Sequence, residues 1–235
     1  MTAPLGWTNP RIDPAERRVL HSPAWLVPVD LLTGGPPAAA PTVVLERRRG
    51  SRWERVDRRP VITPSGAVTF PGLGFSANPR TAPATTYRVA LALPRYVSLY
   101  RRSVDGLTFT AHPYNDTTPP AAVAIRQEVP LAPAVDYPFP ARLPVLRGTV
   151  TAVDGTPVAD TEVRATFADG LPEPRTEETV TDARGAFALP LRWARPGTTV
   201  TAKARHTRGP GPLRTGRVDV RVPLDLASPR TIVIT

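Results

Sequence analysis

Proline restricts this chain more than any other residue. Thirty-one of its 235 residues are proline, more than twice the usual ~5%. Each interior proline removes a helical donor and drives its ring into the preceding turn, so long helices are excluded. Hydrophobic residues make up 41% of the chain, enough for a packed core and unlike the composition of disordered Pro-rich chains. A chain that must bury a core without long helices is left with short strands and turns. The one stretch of helical character is residues 14–20, with Asp13 as cap and Pro14 at the first helical position.

Period-two alternation supports strands throughout. Tyr87, Val89, Leu91 and Leu93 fall on one face, separated by Arg88, Ala90 and Ala92. Val218, Val220 and Val222 alternate with Asp219 and Arg221, and residues 231–235 are almost wholly β-branched. Turn signals recur roughly every ten residues, the spacing of β-sandwiches.

An internal repeat appears at a spacing of about 120 residues. Strand, Gly turn and Pro follow one another in Val29-Asp30-Leu31-Leu32-Thr33-Gly34-Gly35-Pro36 and again in Val150-Thr151-Ala152-Val153-Asp154-Gly155-Thr156-Pro157. Residues 42–47 parallel 161–167. Val61-Ile62-Thr63-Pro64-Ser65-Gly66-Ala67-Val68 parallels Val180-Thr181-Asp182-Ala183-Arg184-Gly185-Ala186-Phe187. In the last pair, Gly supplies the positive φ of a hairpin turn. The expected architecture is all-β: two tandem Ig-like or transthyretin-like antiparallel β-sandwiches with a short N-terminal arm. The arm covers residues 1–24, the first sandwich 25–131, a Pro-rich connector 132–142 and the second sandwich 143–235. Tyr137 and Phe139 in the connector imply that it docks onto something.

The second half resembles the carboxypeptidase regulatory-like modules, a transthyretin-like (prealbumin-like) group of β-sandwiches. The resemblance is carried by Leu146-Arg147-Gly148-Thr149-Val150, Asp154-Gly155-Thr156-Pro157-Val158 through Val163, and Thr179-Val180-Thr181-Asp182-Ala183-Arg184-Gly185-Ala186-Phe187. The first half is similar in a looser way, with Pro64-Ser65-Gly66 where that family has an Asp-containing turn. The resemblance implies a spacer, stabilising or adhesive unit without catalytic residues. In overall layout the chain also resembles accessory subunits of phage-tail-like contractile injection particles.

The chain has no cysteine, which excludes disulfides, thiolate-bound metal and thiol catalysis. No apolar run approaches the ~18 residues of a membrane helix. The opening residues lack a basic region followed by an apolar stretch, so a cytoplasmic location is expected. Net charge is +10. Residues 1–131 hold 16 basic and 9 acidic groups, and residues 132–235 hold 14 and 11. By charge, the first half is the one expected to meet an anionic partner.

Catalytic constellations are missing. His21, His112 and His206 are far apart and none sits in a metal-spacing motif. His112 with Asp116 and Asp105 is the one arrangement to weigh as a site; the simpler reading is a polar loop capped by Asn and Asp turns. Glu177 and Glu178 are adjacent, face opposite ways on a strand, and are expected to be solvent-facing. No Gly-x-Ser-x-Gly elbow and no phosphate-cradling loop ahead of a helix is present. Lys203, the only lysine, could form an amide cross-link with an Asp only as a buried amine.

The reading that follows is a non-enzymatic structural or adaptor subunit that meets other protein subunits and uses no cofactor or metal, with a phage-tail-like contractile particle as the first choice of assembly. Its candidate partner-binding residues are Trp7 and Trp25 of and beside the arm, and Arg47, Arg48, Arg49 and Trp53 of a basic hairpin. Nucleic-acid binding by that hairpin is the main alternative, since arginines can track phosphates and an exposed Trp can stack bases. Against it, Glu46, Glu54 and Asp57 interrupt the run. A glycan-binding or adhesive module is the third reading.

Overall fold

The structure, a computed structural model, describes residues 20–99, 107–167, 173–207 and 211–235. It is all-β and contains two sandwiches. The first is built from β1 (Ala24–Asp30), β2 (Thr42–Arg49), β3 (Arg52–Arg55), β4 (Val61–Ile62), β5 (Val68–Thr69), β6 (Thr85–Ala92), β7 (Tyr96–Ser98), β8 (Leu107–Ala111) and β9 (Ile125–Pro133). The second comprises β10 (Val145–Ala152), β11 (Glu162–Phe167), β12 (Arg175–Val180), β13 (Ala186–Pro190), β14 (Thr199–His206), β15 (Arg214–Arg221) and β16 (Arg230–Ile234). One 3-10 turn, Leu224–Ala227, precedes the last strand. Residues 14–19 lie outside the described residues, so the helical expectation there meets no observation.

The sequence repeat reappears as a repeat of topology. The order β5-β1-β9 in the first sandwich matches β13-β10-β16 in the second, and β3-β2-β6-β8 matches β12-β11-β14-β15. The first sandwich adds β4 outside β5 and β7 outside β9. The paired Gly turns match bond for bond. Gly66 N donates to Thr63 O (2.8 Å) and Thr63 N to Ala67 O (2.9 Å); Gly185 N donates to Asp182 O (3.0 Å) and Asp182 N to Ala186 O (2.9 Å).

Alternation places the cores. In the first sandwich Leu26, Val68, Phe70 and Leu131 face Leu45, Val89, Leu91 and Phe109. Phe109 stacks between Phe70 and Tyr87, with centroids 5.7 and 5.8 Å away. In the second, Leu146, Val150, Phe187 and Ile232 face Val163, Ala202, Ala204 and Val220. Burial of these aliphatic and aromatic side chains is the main stabilising term for each sandwich, at about 1.5–3 kcal/mol per large side chain.

The sheets depart from the antiparallel expectation at one place in each sandwich. First and last strands run parallel: β1 with β9, and β10 with β16. A parallel pair needs a long crossover, and here the intervening strands, all of the opposite sheet among them, supply it. Side-chain alternation records which face is buried and carries no information on strand direction.

Two stretches are more tightly integrated than composition suggests. Ala132 and Pro133, read from sequence as connector, end β9 and pair with Val97 and Tyr96. His21 and Ser22, in the stretch read as arm, belong to the packing of the first sandwich. Phe70 N donates to Ser22 Oγ (3.0 Å), His21 N to the Tyr114 hydroxyl (3.1 Å), and Gly72 N to His21 O (2.9 Å).

Candidate interaction surfaces

The basic hairpin is β2 with β3, in register Glu46↔Arg55, Arg47↔Glu54, Arg48↔Trp53 and Arg49↔Arg52. Its charges are largely spoken for. Glu54 accepts from Arg49 (2.9 Å) and lies 3.5 Å from Arg47; Glu46 holds Arg88 at 2.7 Å. Arg48 Nε donates to Gly50 O (3.1 Å), closing the turn. Trp53 is half-buried, with the Arg88 guanidinium 4.6 Å from its ring centroid. The ring therefore has a cation on one face and is not a bare stacking platform. Thus Arg47, Arg48, Arg49 and Trp53 come together on one hairpin, where their first partners are internal.

Trp25 is 43% exposed on the outer face of β1, in register with Thr69 of β5 and Arg126 of β9. Val61, half exposed, continues that row. Trp25 and the hairpin are on different sheets. Trp7 lies outside the described residues.

The connector is fastened at both ends. Ala134 N donates to Arg95 O at 2.8 Å. The Tyr137 hydroxyl donates to Asp30 Oδ2 at 3.4 Å, beside the Tyr96 hydroxyl at 3.2 Å and Thr33 Oγ1 at 3.1 Å on the same oxygen. Asp30 Oδ1 accepts from Leu32 N at 2.8 Å. A buried carboxylate with four donors has its hydrogen-bonding capacity met. Burial, then the Asp30 charge and Tyr96, push the Tyr137 hydroxyl up to about 12; burial leads in raising Tyr96 too. On the far side, Arg147 of β10 donates to Val135 O at 2.7 Å and covers Phe139 at 5.4 Å.

A second tie joins the sandwiches directly. Arg192, after β13, makes two bonds to Glu177 (Nε–Oε1 2.6 Å, Nη2–Oε2 2.9 Å) and a third from Nη1 to Leu32 O of the first sandwich at 2.9 Å. This corrects the expectation of a solvent-facing Glu177: its side chain is 4% exposed. The planar guanidinium fork meets both oxygens of the buried carboxylate at once. Glu178, on the other face, holds Arg164 at 2.9 Å.

The polar loop around His112 follows the simpler reading. Asn115 Oδ1 accepts from Thr117 N (3.0 Å) and Thr118 N (2.8 Å), an Asx-type turn. His112 lines a cavity of ≈700 Å³ with His21, Tyr114 and residues 119–125; Asp116 is not among its lining residues. Asp105 lies outside the described residues. Among the described residues no group of three or more His, Cys, Asp or Glu could hold a metal, and no helix is long and apolar enough to cross a membrane. Lys203 is exposed on β14, which removes the buried amine that an amide cross-link needs.

Sequence reasoning overlooked one cluster. On the outer face of the β12-β11-β14-β15 sheet, Arg164, Lys203 and Arg217 lie in one cross-strand row, with Arg205 in the next. Its signal was available as basic residues two apart, Lys203 and Arg205, facing Arg217 once the strands pair.

No family model matches the chain, and no curated protein matches it. Among solved structures the chain is similar to the shaft pilin spaA from Lactobacillus rhamnosus GG, at 11% identity and a TM-score of 0.29, over 93% of this chain and 98% of the pilin chain.

Proposed function

We propose that this protein is a structural adaptor subunit of a multiprotein assembly, acting through shape. The observation that carries the reading is the double fastening between the sandwiches: Tyr137 to Asp30 and Arg147 to Val135 along the connector, and Arg192, held by Glu177 within the second sandwich, to Leu32 across the gap. A chain whose halves moved independently would have no use for an arginine fixed by a buried carboxylate in one sandwich and bonded to the backbone of the other; one that must hold two surfaces at a set distance does. We assign the second sandwich to the carboxypeptidase regulatory-like modules on the pattern of residues 146–187, and the first to a divergent copy with the same strand order. The assembly we favour is a phage-tail-like contractile injection particle, whose accessory subunits share the layout of arm, Pro-rich sandwich and regulatory-like sandwich.

The test is co-purification from native lysate in fixed stoichiometry with a large particle. Because residues 20–24 are packed into the first sandwich, the informative truncation removes residues 1–19 alone. It should abolish incorporation while both sandwiches stay folded. A truncated chain that still incorporates removes the arm from the reading. A protein found monomeric in lysate, with affinity for DNA falling steeply as salt rises, replaces the reading with the nucleic-acid one.

A further inference from the structure

Neighbouring strands lie about 4.8 Å apart, so residues in register on the same face of a sheet touch, and like charges placed opposite one another are destabilising. The outer face of the β12-β11-β14-β15 sheet carries such an arrangement. Arg164 of β11 opposes Lys203 of β14, and Lys203 opposes Arg217 of β15. Arg205, one row on, opposes Glu162 and Thr215. All four cations are exposed.

The acids of this face relieve only the Arg164 end of the row. Glu162 and Glu178 both turn to Arg164. Asp219, diagonal to Lys203, is bonded by Thr201 Oγ1 at 2.6 Å. Lys203, Arg205 and Arg217 therefore have no carboxylate in ion-pairing range among the described residues. In the β2–β3 hairpin, by comparison, Glu54 pairs with both Arg47 and Arg49. The face is also bounded: a cleft of ≈440 Å³ separates it from Val97 and Ser98 of the first sandwich, with Arg164 and Arg205 in its lining.

We propose that this face docks an acidic, extended segment of a partner protein, its carboxylates falling on Lys203, Arg205 and Arg217. The proposal rests on the adaptor reading and names one of its contact surfaces. A nucleic-acid strand fits less well. Among the described residues the face has no aromatic ring for bases to stack on, and Glu162, Glu178 and Asp219 stand among its cations, where an unbroken phosphate chain meets them as like charges. In an extended peptide only every second side chain faces the sheet, so hexaglutamate presents three carboxylates there and needs no stacking ring.

Lys203 makes the test specific, because it is the chain's only lysine. The full chain is treated with an acetylating reagent with and without a fluorescein-labelled hexaglutamate peptide, at low ionic strength, and acetylation at residue 203 is read by mass spectrometry. The α-amine serves as internal control. The expected result is at least about threefold protection of Lys203 alone, and peptide affinity weakened about tenfold in Lys203→Gln/Arg205→Gln/Arg217→Gln, the sum of three exposed ion pairs of ordinary strength. Removing the same charge from the hairpin, in Arg48→Gln/Arg49→Gln/Arg55→Gln, should weaken it no more than about twofold through the loss of net charge. The footprint needs no variant, so misfolding of either triple leaves the proposal exposed to refutation. No protection of Lys203, equal losses in the two triples, or an oligothymidylate that displaces the peptide and itself protects Lys203 each overturns it. Loss of this docking face would leave fixed-stoichiometry incorporation to be judged separately, whereas a monomer in lysate would remove the adaptor reading even if hexaglutamate protects Lys203.

Discussion

Tyr137 donates its hydroxyl to Asp30 across 107 positions of sequence, sharing Oδ2 with Tyr96. Asp30 closes the first strand of the first sandwich through its turn: Asp30 N donates to Gly35 O at 2.9 Å and Gly34 N to Asp30 O at 2.7 Å. Tyr96 and Tyr137 also meet edge to face, 5.5 Å between centroids. The connector is thus anchored on a carboxylate that accepts four hydrogen bonds, and Arg192 reaches Leu32, two residues farther on, from the second sandwich. Both ties converge on one turn, residues 30–35, so the connector and the second sandwich are fixed against the same segment of the first.

The first prediction concerns the Tyr137 anchor and pH. Folding raises this phenol from its usual ~10 to about 12, so the folded state favours the neutral, donating form. Its contribution is therefore fully present below pH ~10 and lost as pH rises through about 12. Absorbance titration at 295 nm should show a phenol ionising near the top of that window in the native chain and one fewer in Tyr137→Phe. The variant should cost about 1 kcal/mol at neutral pH, the net worth of one hydrogen bond. Identical titration curves would remove Tyr137 as the raised group.

The second prediction concerns Arg192. Truncation in Arg192→Ala leaves the Glu177 carboxylate buried without its partner and cuts the bond to Leu32. Breaking one side of a buried pair costs about 3–5 kcal/mol; with Arg192 30% exposed on its side chain, a loss nearer ~3 kcal/mol in urea unfolding is expected. Arg192→Leu with Glu177→Leu should recover most of that loss, since apolar replacement of a buried pair is commonly neutral. It should not restore the Leu32 tie, so small-angle scattering should report a wider spread of inter-sandwich geometry in both variants. A double variant as unstable as the single one would show that the stability loss has another origin.

How much of this was legible beforehand depends on range. The Gly turns were readable because their determinants are local. Even the departure in the first copy has a local resolution: Thr63 Oγ1 accepts from Ala67 N at 3.0 Å, the bond that Asp182 Oδ1 makes to Ala186 N at 2.9 Å. An Asp-lacking turn thereby keeps the same geometry. The buried faces of β6 and β15 were readable from alternation for the same reason. Glu177 was misread because its environment is set by Arg192, 15 positions away, and by the seating of the other sandwich. The parallel pairs and the cation row escaped because both exist only once strands are placed beside each other. Trp53 was readable as a hairpin residue, while the Arg88 that covers it comes from the next strand of the sheet.

The third prediction tests the packing around β10 of the second sandwich. Gly148 lies in β10 between Phe187 of β13 and Arg230 of β16. A Cβ there would fall on the Arg230 carbonyl oxygen and within 2.9 Å of two Phe187 ring carbons. Neither neighbour can move cheaply, because the carbonyl belongs to the parallel β16 strand and Phe187 is 1% exposed in the core. Gly148→Ala should therefore destabilise the second sandwich by about 3 kcal/mol, at the upper end of ordinary overpacking. Gly148 needs no positive φ, so the cost comes from space and not from backbone conformation. Pairing the change with Phe187→Leu, which vacates the ring edge, should recover only part of it, since the carbonyl contact persists. Unfolding in urea followed through Trp193, 41% exposed in the second sandwich, reports the effect locally. A Gly148→Ala chain with an unchanged midpoint would mean that β16 shifts freely away from β10, and with it the parallel pairing that closes this sandwich would lose its structural role.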